Sequence, residues 1–166
     1  MRISKNFTLA ELTKSNTATR LGISNTPDKE GIHKLRLLAT ELLQPIRDCL
    51  SAPLRISSGY RSESLNKAIG GSNKSQHSKC EAVDLQFVKR GSMDNMRIFN
   101  AIINHAIEFD QIILEFGGAT ADRDSDYPDW IHVSWKITGN RRQILVAYKD
   151  ENNKTKYRPK KNYYSV

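Results

Sequence analysis

Residues 57–85 read S-S-G-Y-R-S-E-S-L-N-K-A-I-G-G-S-N-K-S-Q-H-S-K-C-E-A-V-D-L, and residues 129–134 read D-W-I-H-V-S. The first segment has strand-like ends and a loop rich in glycine and serine between them. It carries an arginine, a histidine and an aspartate, and the second segment adds another aspartate and another histidine. Polar residues at strand ends and in loops are where binding and catalytic sites are built. The two segments therefore predict one site assembled from distant parts of the chain.

The bulk composition indicates a single globular domain. The chain has 166 residues, of which 38% are hydrophobic and 27% are charged, and this fits one domain with a real core. No apolar run approaches the roughly 18 residues of a membrane span, and the N-terminus has no signal-peptide pattern. We therefore expect synthesis and folding in a cytoplasm. The two cysteines, Cys49 and Cys80, are too few for a disulfide framework and are expected to be free thiols.

The charge of the chain predicts an anionic partner. The net charge is +8 and the isoelectric point is about 9.6, which suits nucleic acid, anionic lipid or a bacterial envelope polymer equally well. We expect a domain over residues 1–149, followed by a basic tail over residues 150–166 that is partly ordered or flexible. The sequence offers no recognition motif for nucleic acid.

Four helices are predicted in the chain, of which one is a short helix over residues 62–69 and the other three are longer or have a start signal. Thr8 and Glu11 form a capping box at the start of the first of these three. The second opens at Thr26 and Pro27, with the proline at the first helical position. Its apolar residues recur at helical spacing, at Ile32, Leu35, Leu38, Leu42, Ile46 and Leu50. Ser92 is predicted to cap a third, amphipathic helix.

Strand-like runs occupy residues 54–57, 81–88, 110–116, 130–137 and 143–149. Because side chains alternate along a strand, Asp84 is expected on the face opposite Val83 and Leu85. Likewise, His132 is expected opposite Ile131 and Val133. The turn residues T-G-N at positions 138–140 predict a hairpin, which would make the last two runs antiparallel neighbours.

The ligand types of a catalytic zinc site occur in the two segments, at His77, Asp84 and His132. Such a site has three protein ligands and leaves a fourth position for water. Spacing alone does not establish a zinc site, because a single histidine on a strand is often only hydrogen-bonded and a single aspartate on a strand is often a charge at the sheet edge. Cys80 forms H-x-x-C with His77, but a small buried thiol is the more ordinary interpretation.

Hydrolysis at a metal site also needs an acid–base group. Asp129, three residues before His132, is one candidate, although it also fits a loop-end acid in a run of aspartates. Arg61 offers a guanidinium to a substrate carboxylate or to a developing oxyanion. Without a metal, Arg61 would be an ordinary surface arginine.

The motifs S-G-Y-R-S, L-N, G-G-S, S-Q-H and A-V-D, followed by W-I-H-V-S, resemble the zinc D-Ala-D-Ala carboxypeptidase family of peptidoglycan peptidases. The nearest branch is that of phages and bacteria, which includes single-domain endolysins. The resemblance runs from the F-T-L-A-E-L opening to about residue 148. It implies an α+β fold, hedgehog-like and D-Ala-D-Ala-peptidase-like, with a small mixed or antiparallel sheet packed against helices.

The resemblance also implies roles for individual residues. One Zn²⁺ ion would be bound by His77, Asp84 and His132. Asp129 matches the catalytic base, and Arg61 matches the arginine that positions substrate or stabilises the transition state. Substrate binding would further involve Ser75 and Gln76. Cys80 departs from the family pattern, which has glycine there, and a cysteine would be strained if the position required a positive φ.

The function implied is a zinc peptidase that hydrolyses amide bonds in the peptide stems or cross-links of peptidoglycan, as a phage-type endolysin or murein peptidase. We expect a monomer that is made in the bacterial cytoplasm and acts on the wall after release, where its positive charge suits an anionic envelope surface. Two alternatives stay open. One is a catalytically silent, zinc-containing wall-binding or virion structural module, and the other is nucleic-acid binding through the basic tail.

Overall fold

The helices lie mostly in the N-terminal third of the computed structural model, which describes residues 1–89 and 91–161. They are α1 (Leu9–Thr13), α2 (Asn16–Leu21), α3 (Lys29–Leu38), a π-helical turn (Ala39–Leu43), α4 (Gln44–Leu50), α5 (Glu63–Ala68) and α6 (Met96–Asn104). The capping box of Thr8 and Glu11 is confirmed at the start of α1. None of these helices is long and apolar enough to span a bilayer.

In the described part of the chain, six strands form the main sheet in the order β1-β2-β6-β5-β7-β8. Their bounds are β1 (Arg55–Ser58), β2 (Ala82–Gln86), β5 (Gln111–Glu115), β6 (Trp130–Ser134), β7 (Gln143–Lys149) and β8 (Thr155–Pro159). Only the β5–β7 pair of this sheet is parallel. A separate hairpin joins β3 (Val88–Lys89) and β4 (Ser92–Met93). The fold is therefore α+β with a mixed sheet, as expected.

The predicted hairpin between the last two strand runs is wrong. β6 lies between β2 and β5, and β7 pairs with β5 instead. The turn is closed locally, because the side chain of Asn140 bonds both the N–H and the C=O of Lys136. Directly after it, the N–H and the Nε of Arg141 donate to Asp110, at 3.1 and 2.9 Å. These bonds to Asp110, which directly precedes β5, hold the start of β7 beside β5 instead of β6.

Two helix starts also differ from the prediction. The second helix begins at Lys29, because Asp28 caps it by accepting a bond from the N–H of Gly31. The third begins at Met96 after Asn95, and Ser92 belongs to the β3–β4 hairpin. Helix α2 was not predicted, although Ser15 caps it with its hydroxyl group. Polar helices of this length carry little periodic signal.

The two faces of the sheet have different partners. One face packs against the helices through buried apolar residues, and these include Val83, Leu85, Ile112, Leu114, Ile131 and Val133. The other face lines a cleft with a volume of about 720 Å³. Part of the predicted basic tail forms β8 at the sheet edge, where Arg158 and Lys160 bind Asp124 at 2.6 and 3.1 Å. Residues 162–166, which include Tyr163 and Tyr164, lie outside the described part of the chain.

Candidate metal centre

Three buried side chains meet on the cleft face of the sheet. Asp84 on β2 stands directly opposite His132 on β6, and His77 comes from the loop that precedes β2. Asp84 Oδ1 lies 3.1 Å from His132 Nδ1 and 3.3 Å from His77 Nε2. One potential ligand atom from each residue lies within 4.8 Å of the other two. The structure thus brings together the three residues that the sequence analysis selected.

Hydrogen bonds indicate which nitrogen of each ring is free. His77 Nδ1 lies 2.8 Å from the carbonyl oxygen of Gly59, which can only accept, so this nitrogen carries a proton. Gln76 Nε2 donates to Asp110 at 2.8 Å, and its Oε1 therefore faces His132 Nε2, at 3.4 Å. This leaves His77 Nε2 and His132 Nδ1 with lone pairs directed at the same carboxylate oxygen.

The electrostatics of the cluster suit a bound cation. Burial is the main cause that lowers the pKa of His132, and it outweighs the neighbouring Asp84. Although burial works the other way for Asp84, the contacts with the rings of His132 and His77 hold the pKa of this carboxyl well below its usual range. Two imidazoles and one carboxylate form a set of ligands that Zn²⁺ favours. The residues present therefore fit the metal that the resemblance implies.

Arg61 holds the second oxygen of the aspartate. Its Nη2 donates to Asp84 Oδ2 at 3.0 Å, and its Nε donates to Ser58 Oγ at 3.0 Å. The bond to Oδ2 directs Oδ1 towards the two histidines, as partners of metal ligands commonly do. Arg61 is half-buried and also lines the cleft, so its predicted role towards substrate stays a prediction.

Gln76 and Asp110 support His132, one of the three candidate metal ligands. The predicted substrate-binding residue Gln76 uses its amide group to bridge His132 and Asp110. Asp110 is fully buried and also binds Arg141 and Lys136, the latter at 2.9 Å. Although burial opposes it, these hydrogen bonds hold the pKa of Asp110 well below its usual range. Asp110 was not among the predicted site residues, because no local pattern links it to a histidine 22 positions away.

Ser75 and Asp129 differ in their relation to the cleft. Ser75 lines it, as a residue near a bound peptide would. Asp129 is exposed, and its main chain is held by a bond from its N–H to the carbonyl oxygen of Glu115 at 2.8 Å. Among the described residues, those lining the cleft do not include Asp129. Its assignment as the base stays a prediction from the resemblance.

Glu115 is a cleft residue that the sequence analysis did not select. It lies on β5 with only 7% of its surface exposed, and it lines the cleft together with Gln111 and Ile113. Burial raises the pKa of Glu115 to about 7, with a smaller contribution from Asp84 and an opposing one from Arg61. Because side chains alternate along a strand, Glu115 shares a face with Gln111. That this face lines a cleft was not recognised from the sequence.

Cys80 occupies the backbone conformation that the family pattern assigns to glycine. Its φ is 61°, a left-handed value that costs a non-glycine residue about 1 to 2 kcal/mol. Its N–H donates to the carbonyl oxygen of His77 at 3.2 Å, so the strained turn helps to position the first histidine. Burial raises the pKa of the thiol to about 11. At neutral pH Cys80 is therefore a protonated, buried thiol with little nucleophilic character.

We predict that Gly59→Ala weakens both the fold and the metal site. An added Cβ would lie 2.2 Å from the carbonyl oxygen of Leu12, so β1 and α1 must separate, at about 2 kcal/mol of stability. The same shift displaces the carbonyl group that orients His77, and zinc affinity should fall about 10-fold. Urea unfolding and competition with a chelator measure the two effects.

The matched control for this substitution is Gly139→Ala. Gly139 has a φ of 71° but nothing within 4 Å of an added Cβ, so it tests backbone strain without a collision. It should lose about 1 kcal/mol of stability and no zinc affinity. Equal zinc affinity in Gly59→Ala and the natural chain would contradict the proposed support of His77.

Comparison with known proteins finds a family match in the N-terminal two thirds of the chain. A family model described as Peptidase M15 matches residues 5–118, which is more than half of the chain. The matched range includes Arg61, His77 and Asp84, whereas Asp129 and His132 lie beyond it. No curated protein matches the chain. The second histidine of the cluster, His132, is thus placed in the site by its pairing with Asp84 in the sheet and not by the family model.

Proposed function

The chain belongs to the peptidase M15 family of zinc-dependent metallopeptidases, and on that premise we propose that it hydrolyses amide bonds in the peptide stems or cross-links of peptidoglycan. The observation that carries the proposal is the convergence of two imidazole lone pairs and one carboxylate oxygen at the floor of an open cleft. Three buried atoms that face one another with electron pairs and share no proton would be unfavourable unless they bind a cation.

The proposed metal is a single Zn²⁺ ion, held by His77 Nε2, Asp84 Oδ1 and His132 Nδ1. When bound there, zinc would polarise an amide carbonyl and lower the pKa of a water molecule. The chain's own residues supply the remaining work. Arg61 keeps Asp84 in place, and Gln76 keeps His132 in place.

The cleft also offers contacts for a peptide. Arg61 and Lys74 line it, and their positive charges would attract the carboxylates of peptidoglycan stems. Ser75 also lines the cleft and adds a hydroxyl group, while Trp130 and Tyr157 supply apolar surface. We propose that Arg61 orients a substrate carboxylate or stabilises the developing oxyanion.

A murein peptidase or phage-type endolysin is the proposed biological form of this activity. The net charge of +8 supports work at an anionic envelope, because positive charge speeds encounter with a polyanion. In this proposal the enzyme reaches the wall after release from the cell that makes it. The competing form is a module that binds zinc and wall without cleaving it.

Purified peptidoglycan and mass spectrometry test the proposal. The zinc-loaded protein should release peptide fragments whose masses identify the bond that is cut. The metal chelator 1,10-phenanthroline should abolish release, and added zinc should restore it. A protein with one zinc per chain that binds peptidoglycan in a sedimentation assay but releases no fragment would contradict the proposed activity and favour the binding module.

A further inference from the structure

The cleft contains an acid that the metal cluster does not use. Among the described residues that line it, the acids are Asp84 and Glu115. Asp84 is committed, since one oxygen faces the two histidines and the other accepts a bond from Arg61. Within residues 1–89 and 91–161, no hydrogen bond or ion pair joins the carboxyl group of Glu115 to another residue. Glu115 is therefore available to a ligand.

The oxygen atoms of Glu115 are accessible from the cleft. Among the described residues, the buried side-chain atoms that lack a hydrogen-bond partner are Asn66 Oδ1, Ser78 Oγ and Arg158 Nη2. The Glu115 oxygens have no partner and are not in this set, so they keep contact with the cleft that Glu115 lines. A group bound in the cleft can therefore reach them.

Two cations in this part of the sheet bind other groups. Arg61 donates to Asp84 at 3.0 Å, and Lys149 on the neighbouring strand β7 donates to Thr155 at 2.8 Å. Burial raises the pKa of Glu115 to about 7. A cation brought in by a ligand would offset this cost, because an opposite charge favours the ionised form of a carboxyl group. The chain thus leaves the positive partner of Glu115 to come from outside.

Two aromatic residues flank Glu115 on the cleft face. On one side, Trp130 of β6 stands directly opposite it. On the other side, Glu115 pairs with Ala147 of β7, which in turn pairs with Tyr157 of β8. Trp130 and Tyr157 both line the cleft. Because aromatic rings attract organic cations over their faces, the acid and the two aromatic residues together suit an ammonium group.

Strand register places this group of side chains beside the metal cluster. Ile113 of β5 stands opposite His132 of β6, one pair along from Glu115 and Trp130. Glu115 and His132 are thus diagonal neighbours on one face, about 7 to 8 Å apart. One residue of extended chain covers about 3.5 Å. A side chain carried by the residue next to an amide at the metal cluster can therefore reach Glu115.

We propose that Glu115, Trp130 and Tyr157 form a binding site for an ammonium group on the substrate, carried by the side chain of a diamino acid in the peptide stem. This inference rests on the proposed function and names the residue of the stem that the cleft selects. Glu115 recognises the charge of the substrate and takes no part in proton transfer.

The test compares two acetylated stem peptides that differ in one side chain, which is lysine in the first and norleucine in the second. Norleucine has nearly the same length but no ammonium group. On the zinc-loaded natural chain, kcat/KM should be at least about 10-fold higher for the lysine peptide, as for a hydrogen bond to a charged group. Equal values for the two peptides would overturn the inference without any variant.

Glu115→Gln should abolish this preference. We expect its kcat/KM values for the two peptides to agree within about threefold, with the norleucine value and the zinc content of the natural chain. Glu151→Gln, which makes the same change in an exposed turn between β7 and β8, should keep the full preference. A preference retained in Glu115→Gln would overturn the inference, and so would an equal loss of activity towards both peptides.

Tyr157→Leu tests the same site at an exposed position of the sheet edge, where the fold tolerates the change. The preference for the lysine peptide should fall about threefold, because an aromatic partner of the ammonium group is lost. An unchanged preference in this variant would overturn the assignment of Tyr157 to the site.

A binding measurement separates this site from the proposed activity. Calorimetry on the zinc-loaded chain uses the same two peptides with methylated amide nitrogens, which resist hydrolysis. The lysine analogue should bind at least about 10-fold more tightly to the natural chain and not to Glu115→Gln. If the natural chain hydrolysed neither stem peptide, the proposed function would fail, and equal binding of the two analogues would separately overturn the ammonium site.

Discussion

His132→Ala should yield a folded protein that binds no zinc and does not hydrolyse peptidoglycan. His132 supplies one of the three nitrogen and oxygen atoms that meet within 4.8 Å. The loss of zinc affinity should exceed the 10- to 100-fold that is typical when an outer partner of a ligand is removed. Because a catalytic metal contributes several kcal/mol of transition-state stabilisation, kcat should fall by at least about 1,000-fold.

The measurement combines zinc content with thermal unfolding. Added zinc should raise the melting temperature of the natural chain, since it binds only the folded state, and should not raise that of His132→Ala. His105→Ala is the control, because His105 is exposed at the end of α6 and its substitution should change neither quantity. Stoichiometric zinc in His132→Ala would show that the ligand assignment is wrong.

Asp110→Asn should have the largest effect on stability. Asp110 is fully buried and accepts bonds from the main chain and guanidinium of Arg141, from Lys136 and from Gln76. An asparagine turns one acceptor oxygen into a donor that faces these donors. Breaking a buried ion pair in this way costs about 3 kcal/mol. Because Gln76 also orients His132, zinc affinity should fall about 10-fold.

Urea unfolding of the zinc-free protein and chelator competition measure these two losses. The control is Glu108→Gln, which breaks the exposed pair of Glu108 with Arg142, at 3.1 Å. It should change stability by less than about 1 kcal/mol and leave zinc affinity intact. Unchanged zinc affinity in Asp110→Asn would refute the support of His132 through Gln76.

The contribution of Asp110 to stability should depend on pH. The pKa of Asp110 is lower in the folded chain than in the unfolded chain, where it should be about 3.9. Its contribution is therefore fully present above the unfolded pKa and is lost as the pH falls below about 4. Asp110→Asn should show a smaller loss of stability than the natural chain over this acidic range.

Local patterns predicted the site only where local geometry determines it. The two-residue period of a strand placed Asp84 opposite Val83 and Leu85, and His132 opposite Ile131 and Val133. The structure agrees, because the four apolar residues belong to the hydrophobic core whereas Asp84 and His132 line the cleft. The capping box of Thr8 and Glu11 was likewise predictable, because it involves neighbours in sequence. Strand partners depend on distant residues, and the predicted pairing of β6 with β7 was wrong for that reason.

The amino-acid sequence by itself determined the family, the α+β class, and the histidines and aspartate that could bind a metal. These follow from motifs and periods that act within a few residues. Only the tertiary structure decided that β5 lies beside β6, and with it that Asp110 supports His132 through Gln76 and that Glu115 faces the cleft. Neighbouring strands pair through packing and hydrogen bonds between residues far apart in sequence, which no local pattern contains.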